Sequence, residues 1–265
     1  MGSQIIFFDK NKIDISNQNA VITSTEAEEF VDFMRNRNNT SAWVTTGSVD
    51  SDLTTLIFDF GERRTIDNIL LIKHNLKAYT LKYWNGSTYV NFSTTIAETA
   101  NALATTRHTF DEVETSKIQL IIQGTTVANS DKYIYQFIAT TLLGQFEGWP
   151  VISNVELDRN RTKIQALSGK TSINENIGGF KCQLAVPNWK ITDDIGIVES
   201  LYDKNEGFLM WLCGGNEDQF WYKARGYRLE DLYLMKCVNE YSPEFVKGIY
   251  ISGLELKIKL EEAID

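Results

Sequence analysis

The chain is poor in the residues that stiffen or staple a small fold. Of its 265 residues only three are proline, three cysteine and two histidine. All the prolines (Pro150, Pro187, Pro243) and all the cysteines (Cys182, Cys213, Cys237) fall in the second half. An odd number of cysteines without a CxxC pair argues against a disulfide framework and against a zinc site. The thiols read instead as buried side chains of a protein made in a reducing cytoplasm. No apolar run approaches the roughly 18 residues that a membrane span needs. The opening MGSQIIFFDKNK lacks the basic lead and the small-residue cleavage site of a secretion signal. Sequons such as those at Asn38 and Asn85 are then coincidence in an Asn- and Thr-rich chain. Positive charge is scarce as well. With 26 Lys and Arg against 35 Asp and Glu the net charge is −9, and Arg63–Arg64 is the only adjacent basic pair. A protein that grips phosphates presents a basic face, so no nucleic-acid partner is expected.

Catalytic signatures are missing too. The chain has no GxGxxG, P-loop, GxSxG or HExxH. His74 and His108 lie in a half without cysteine, and a triad through either would have to assemble in space. Carboxylate pairs such as Glu217–Asp218 and Glu230–Asp231 have the residue type for glycoside hydrolysis, but no context beyond charge, and read as solvated loops. The expectation is a protein that is not an enzyme, with no catalytic, metal or cofactor-binding residue. His74 ends the apolar run LLIKHNL just before the turn former Asn75. It reads as a strand-end histidine bonded to backbone or water, with a ligand role as the alternative.

What is present is a β pattern that changes character near residue 148, where Gly144, Gly148 and Pro150 punctuate LLGQFEGWPV. Two domains are expected, 1–147 and 148–265. In the first, STEAEEFVDFMRNR predicts a helix capped by Thr25 with Glu28 completing a capping box. Ala27, Phe30, Val31 and Met34 form its apolar stripe. LTTLIFDFG alternates through Leu56, Phe58 and Phe60, and IDNILLIKH suits a strand buried on both faces. YTLKYW and STYVNF flank Asn85–Gly86, a type I′ hairpin signal. SKIQLIIQG and KYIYQFIATTLLG complete an antiparallel sandwich. In the second, VISNVEL, TKIQAL and GGFKCQLAV lead into a helix over about 193–204. Thr192 caps it, Asp193 and Asp194 sit at its positive end, and Gly207 stops it. Ile195, Val198, Leu201 and Tyr202 make its apolar stripe. GFLMWLCGG, QFWYKARGY, LEDLYLMKCVNEYS and GIYISGLELKIKLEEAI follow as strands. Trp211 reads as core. Trp221, beside Tyr222, Lys223 and Arg225, reads as core, as a sugar-stacking surface or as a subunit interface.

The order NNTSAWVT, LIFDFGERRTIDNILLIKHN, LKYWNGSTYVNF, KIQLIIQGT, YIYQFIATTLLG resembles a discoidin domain over about residues 36–144. That family is a jelly-roll β-sandwich of the galactose-binding-domain type. The resemblance implies two sandwich strands joined by the link ERRT, with His74–Asn75 at a strand end. The cysteine pair of extracellular members is absent here. GGFKCQLAVPNW, the single helix, GFLMWLCGG, GYRLEDLYL and the closing LELKIKLEEAI resemble the β-sandwich-plus-helix module of tailed-phage tail-tube and distal-tail proteins. In LELKIKLEE one face is apolar (Leu254, Leu256, Ile258, Leu260) and the other charged (Glu255, Lys257, Lys259, Glu261). The charged face would line a channel in a ring or face solvent in a monomer.

Together these readings imply a mainly β structural protein of a phage tail or baseplate, found in the virion and assembled in the host cytoplasm. The second domain would form a homo-oligomeric ring, a hexamer by preference. The first would brace other tail or baseplate proteins or touch a host surface glycan. The alternative is a monomeric carbohydrate-binding module in which Trp43 and loop aromatics stack on sugars.

Overall fold

The structure, a computed structural model, describes residues 5–36, 41–146, 151–165, 171–185, 194–204, 207–212, 232–238, 240, 244–247, 252–255 and 257–262. In chain order the elements are β1 (Ile5–Phe8), β2 (Val21–Ser24), a 3-10 helix (Glu28–Met34), β3 (Trp43–Val44), β4 (Thr54–His74), β5 (Leu76–Trp84), β6 (Tyr89–Val90), β7 (Ile96–Glu98), β8 (Thr106–Thr125), β9 (Tyr133–Thr140) and β10 (Leu142–Phe146). There follow β11 (Val151–Gln165), β12 (Thr171–Ala185), α1 (Asp194–Tyr202), β13 (Phe208–Leu212), β14 (Leu232–Cys237), β15 (Glu244–Lys247), β16 (Ser252–Glu255) and β17 (Lys257–Glu262). The chain is mainly β and its sheets are antiparallel.

Two compact units form. One is Asp9–Leu142; the other joins Met1–Phe8 to Leu143–Asp265. The expected boundary at 147/148 therefore shifts, and the N-terminus changes sides. The reason is burial. Ile5, Ile6, Phe7 and Phe8 are all buried, and a strand apolar on both faces needs an inner place in a sheet. β1 finds one between β10 and β13, with Ile5 opposite Leu212 and Phe8 opposite Leu209.

In the Asp9–Leu142 unit, β4 and β8 are long enough to serve two layers. The first part of β4 pairs with β2 and with Lys117–Ile122 of β8, which in turn pairs with β5. β6 and β7 extend that layer. The second part of β4 pairs with the first part of β8 and with β9, and β9 holds β3. The strands cross between layers where the register breaks between Asp59 and Arg64. The charged ERRT link is thus a bulge within one 21-residue strand, not a loop between two. Gly61 makes the bend, with φ of 78° and a Cβ position only 2.6 Å from the Asn19 carbonyl oxygen, so no side chain fits there. Between the layers Phe58 stacks on Phe137 with centroids 3.6 Å apart, amid Trp43, Phe60, Leu71, Leu81, Leu120 and Ile122.

The expected first helix is shorter and tighter than an α-helix. Residue 27 has φ of 51° and the helix has no side-chain cap. Thr25 Oγ1 instead accepts from the Thr55 amide, while the Glu28 carboxylate takes the Ser24 amide. With three residues per turn the inward row is i, i+3. Val31 and Met34 share it and are buried, and Phe30 rotates out to 39% exposure. The Asn85–Gly86 turn also departs from type I′. Only Gly86 has positive φ, and Asn85 Oδ1 accepts the Ser87 and Thr88 amides in a longer turn.

Among the described residues the second unit holds a seven-stranded sheet, β10-β1-β13-β14-β17-β12-β11, with β15–β16 as a separate pair. Its core joins Phe7, Phe146, Leu184, Phe208, Met210, Ile258 and Leu260 to Val198 and Leu201 of α1. Gly144, expected as boundary punctuation, lies inside β10. A Cβ there would come within 2.5 Å of Ile197, so the bare glycine lets α1 approach the strand. The expected VISNVEL and TKIQAL strands merge into the single β11. The closing alternation holds at Ile258 and Leu260, buried, and Lys259, exposed. Thr192, Asp193, Trp221, Tyr222, Lys223 and Arg225 lie outside the described residues.

Candidate functional site

Both histidines belong to one internal network. His74 ends β4 with 1% exposure. Its Nδ1 accepts the Leu76 amide at 3.1 Å, so the proton sits on Nε2, which donates to Thr106 Oγ1 at 3.1 Å. Thr106 lies 3.1 Å from the Tyr79 hydroxyl, and Tyr79 reaches His108 Nε2 at 2.8 Å. One direction satisfies every group: His74 to Thr106, Thr106 to Tyr79, Tyr79 to His108. Burial lowers both imidazoles to about 4, helped at His74 by the neighbouring His108. Burial likewise pushes the Tyr79 phenol up to about 12. A base poised for work near neutrality would hold its pKa near the operating pH, and these groups sit far from it. His74 is a corner residue whose two ring nitrogens are spent on the fold.

Trp43 does not serve as a stacking platform. It is fully buried, and its indole Nε1 donates to the Glu26 carbonyl at 3.3 Å. Trp211 is buried in β13, as expected of core. Cys182 is buried and Cys237 half-buried, and burial raises both thiols to about 12, which leaves them unreactive. No cluster of three or more His, Cys, Asp or Glu able to hold a metal exists among the described residues.

An aromatic and charged row does reach the surface, on the outer side of the first layer. Phe58, Ile118 and Tyr83 point into the core, so their strand neighbours Asp59, Lys117 and Trp84 point out. The pairing aligns them: Val21 opposite Asp59, Asp59 opposite Lys117, Trp84 one step beyond Tyr83–Ile118, and Trp84 opposite Tyr89. Trp84 and Tyr89 meet edge to face with centroids 5.1 Å apart and planes at 64°. Both are half-exposed. Lys117 Nζ bridges Asp59 Oδ2 at 2.7 Å, with the two side chains 38% and 32% exposed. The hydrogen bond to Asp59 holds the Lys117 ammonium above its ordinary pKa. Burial raises the Tyr89 phenol, with Lys117 pulling it down and Asp59 pushing it up, which places all three groups in one field. In the sequence Trp84 and Tyr89 stand out only as members of the YWNG hairpin. The signal was there, since Trp84 and Tyr89 flank a turn and must face each other. The Asp59–Lys117 partnership spans 58 positions and had no local signal.

No family model matches the chain, and no curated protein matches its sequence. Solved structures match at the level of shape. A chitosan-binding module from the chitosanase/glucanase of Paenibacillus sp. IK-5 is 15% identical with a TM-score of 0.42, covering 50% of this chain and 98% of that one. The family 32 carbohydrate-binding module of C. perfringens NanJ, solved with galactose, is 16% identical with a TM-score of 0.40, covering 51% and 98%. A GH29 fucosidase from Ruminococcus gnavus is 16% identical with a TM-score of 0.41; the match covers 50% of this chain and 27% of the enzyme. Similarity this slight says nothing of what the present chain binds.

Proposed function

We propose that the Asp9–Leu142 sandwich binds a carbohydrate on its outer face, at Trp84, Tyr89, Lys117 and Asp59, without making or breaking a bond. The observation that carries this reading is the half-exposed Trp84–Tyr89 pair in one row with a half-exposed ion pair. A pyranose ring has an apolar C–H face and a hydroxyl rim. Aromatic side chains take the first at low entropic cost. The second needs donors and acceptors side by side, which the Lys117 ammonium and Asp59 carboxylate supply. All four residues stand on strands, so the surface is formed before the ligand arrives. The monomeric-module reading of the sequence is thereby kept, with its platform moved from Trp43 to the hairpin. The test is a glycan array on the full chain, followed by titration calorimetry with the best soluble oligosaccharide. Trp84→Ala is expected to weaken binding at least about tenfold, in line with the loss of a central aromatic anchor. Retention of full affinity in Trp84→Ala, or no glycan bound at millimolar concentration, defeats the reading.

A second reading, a phage tail or baseplate component that forms a ring through its second unit, is favoured by one feature. β17 covers β12 only at Lys181–Ala185. Among the described residues, 171–180 pair with β11 alone, and β11 is itself the sheet edge. A two-stranded ribbon with two open edges is a template for strand addition by another copy, and head-to-tail addition gives a ring when the rotation between copies closes and a filament when it does not. The sandwich unit would then brace neighbouring tail proteins or touch a host glycan, in the virion. Light scattering coupled to gel filtration decides it. A hexamer or other closed oligomer that falls to monomer when the tip of the β11–β12 hairpin is removed supports it, and a concentration-independent monomer ends it.

A further inference from the structure

Lys132 is the only lysine among the described residues with no exposed surface at all. It precedes β9, and its ammonium enters the turn between β3 and β4. There Nζ donates to Ser48 Oγ, to the Asp52 carbonyl at 2.9 Å and to the Val49 carbonyl at 3.3 Å. An ammonium has three N–H donors, and three oxygens receive them. None of the three is a carboxylate. Buried charge is costly unless fully hydrogen-bonded, and this one is. The surrounding turns are tied by bonds that depend on the same geometry. The Lys132 amide donates to Thr45 Oγ1 at 2.9 Å, and the Ser48 amide to Asp131 Oδ1 at 3.2 Å. The Asp50 amide donates to Asn129 Oδ1 at 3.2 Å, and the Thr125 amide to Asp50 Oδ1 at 3.1 Å. Asn75, next to His74, donates to the Asp131 carbonyl at 2.7 Å and accepts the Tyr133 amide at 2.9 Å.

Converging carbonyl and hydroxyl oxygens are what a hard cation selects. We propose that the Lys132 ammonium is a tethered cation, occupying an oxygen-lined cation site and holding the 45–52 and 125–132 turns in place without a metal ion. The difference from a bound metal is thermodynamic. A dissociable ion stabilises in proportion to its free concentration, whereas a side chain is present at full occupancy always. This end of the sandwich is therefore indifferent to chelators and to ambient calcium. Removing the side chain beyond Cβ opens a site of stated chemistry, one that takes a small organic ammonium or a metal cation. The inference is independent of the glycan reading, since it concerns Lys132 and leaves Trp84 and Tyr89 untouched.

The test uses the full chain and two variants, Lys132→Ala and Lys132→Met, read by thermal unfolding and by amide hydrogen exchange at Ser48, Asp52 and Thr125. Wild type is expected to melt at one temperature in chelator and in millimolar calcium. Lys132→Ala is expected to exchange those amides at least about tenfold faster, as a locally opened segment does. n-Propylammonium, which reproduces the deleted atoms, restores protection, and the uncharged 1-propanol does not. Lys132→Met keeps the bulk and loses protection as Lys132→Ala does. The proposal is overturned if Lys132→Met protects like wild type, if 1-propanol rescues as well as n-propylammonium, or if calcium raises the wild-type melting temperature. Where neither variant folds, Ser48→Ala removes one acceptor and keeps the lysine. Faster exchange at Asp52 and Thr125 in that variant supports the proposal, and unchanged exchange refutes it.

Discussion

The Tyr79 hydroxyl lies 2.8 Å from His108 Nε2 and 3.1 Å from Thr106 Oγ1, joining a strand of one layer to a strand of the other. The phenol is 2% exposed, so water does not replace a lost partner. Tyr79→Phe keeps the ring and leaves His108 Nε2 and the Thr106 hydroxyl short of one partner each. Unsatisfied buried groups cost about 1–3 kcal/mol, and urea denaturation is expected to show a loss of that size. A loss under about 0.5 kcal/mol would mean that the network contributes nothing net.

The same network sets an acid limit on stability. The unfolded chain protonates its histidines near 6.5, and the folded chain holds His74 and His108 neutral down to about 4. The unfolded state therefore binds more protons between these values, and stability rises with pH across the window. The contribution is complete above pH 6.5 and is lost as pH falls toward 4. For the fully buried His74 it amounts to about 3 kcal/mol. Denaturation at pH 7.5 and 4.5 is expected to show the drop. A His74→Gln/His108→Gln variant is expected to show a smaller one, and an equal drop would assign the effect elsewhere.

Phe58 and Phe137 are the clearest contact between the layers, with planes 10° from parallel. Each is fully buried. Phe58→Ala and Phe137→Ala should each cost about 3–5 kcal/mol. The double variant should cost less than the sum of the two, by about 0.5–1.5 kcal/mol, because the ring pair is lost only once. Strict additivity in the double-mutant cycle would show that the two rings do not interact.

Gly61→Ala should destabilise by about 1–3 kcal/mol or more through positive φ alone, and the clash with the Asn19 carbonyl adds to it. Gly86→Ala, also at positive φ but with nothing within 4 Å, is the control. Thermal melts should rank Gly61→Ala well below Gly86→Ala. The reverse order would show that the bend between layers is not held by Asn19.

The β class, the strand segments and the buried alternation were legible because each depends on near neighbours in sequence. Leu56, Phe58 and Phe60 repeat at period two, and Ile258 and Leu260 do the same. Ile5–Phe8 show the limit. Their apolar character was plain, but the sheet they would enter lies more than two hundred positions away at β13. The 3-10 helix shows another. A capping box and an i, i+3, i+4 stripe predict an α-helix, but the helix that forms has no side-chain cap and keeps only Val31 and Met34 inward, the i, i+3 row of three residues per turn.

By itself the sequence determined that this chain builds antiparallel sheets from alternating strands, that His74 stands where a strand stops, and that acidic residues outnumber basic ones, 35 to 26. Those properties follow from residue type and local spacing. Tertiary structure alone decided that Trp43 is core while Trp84 and Tyr89 face outward, that Lys117 meets Asp59, and that Lys132 is sealed among three oxygens. Each of these depends on strand register or on turns meeting from distant parts of the chain, and a one-residue shift in register would reverse which side chains reach the surface.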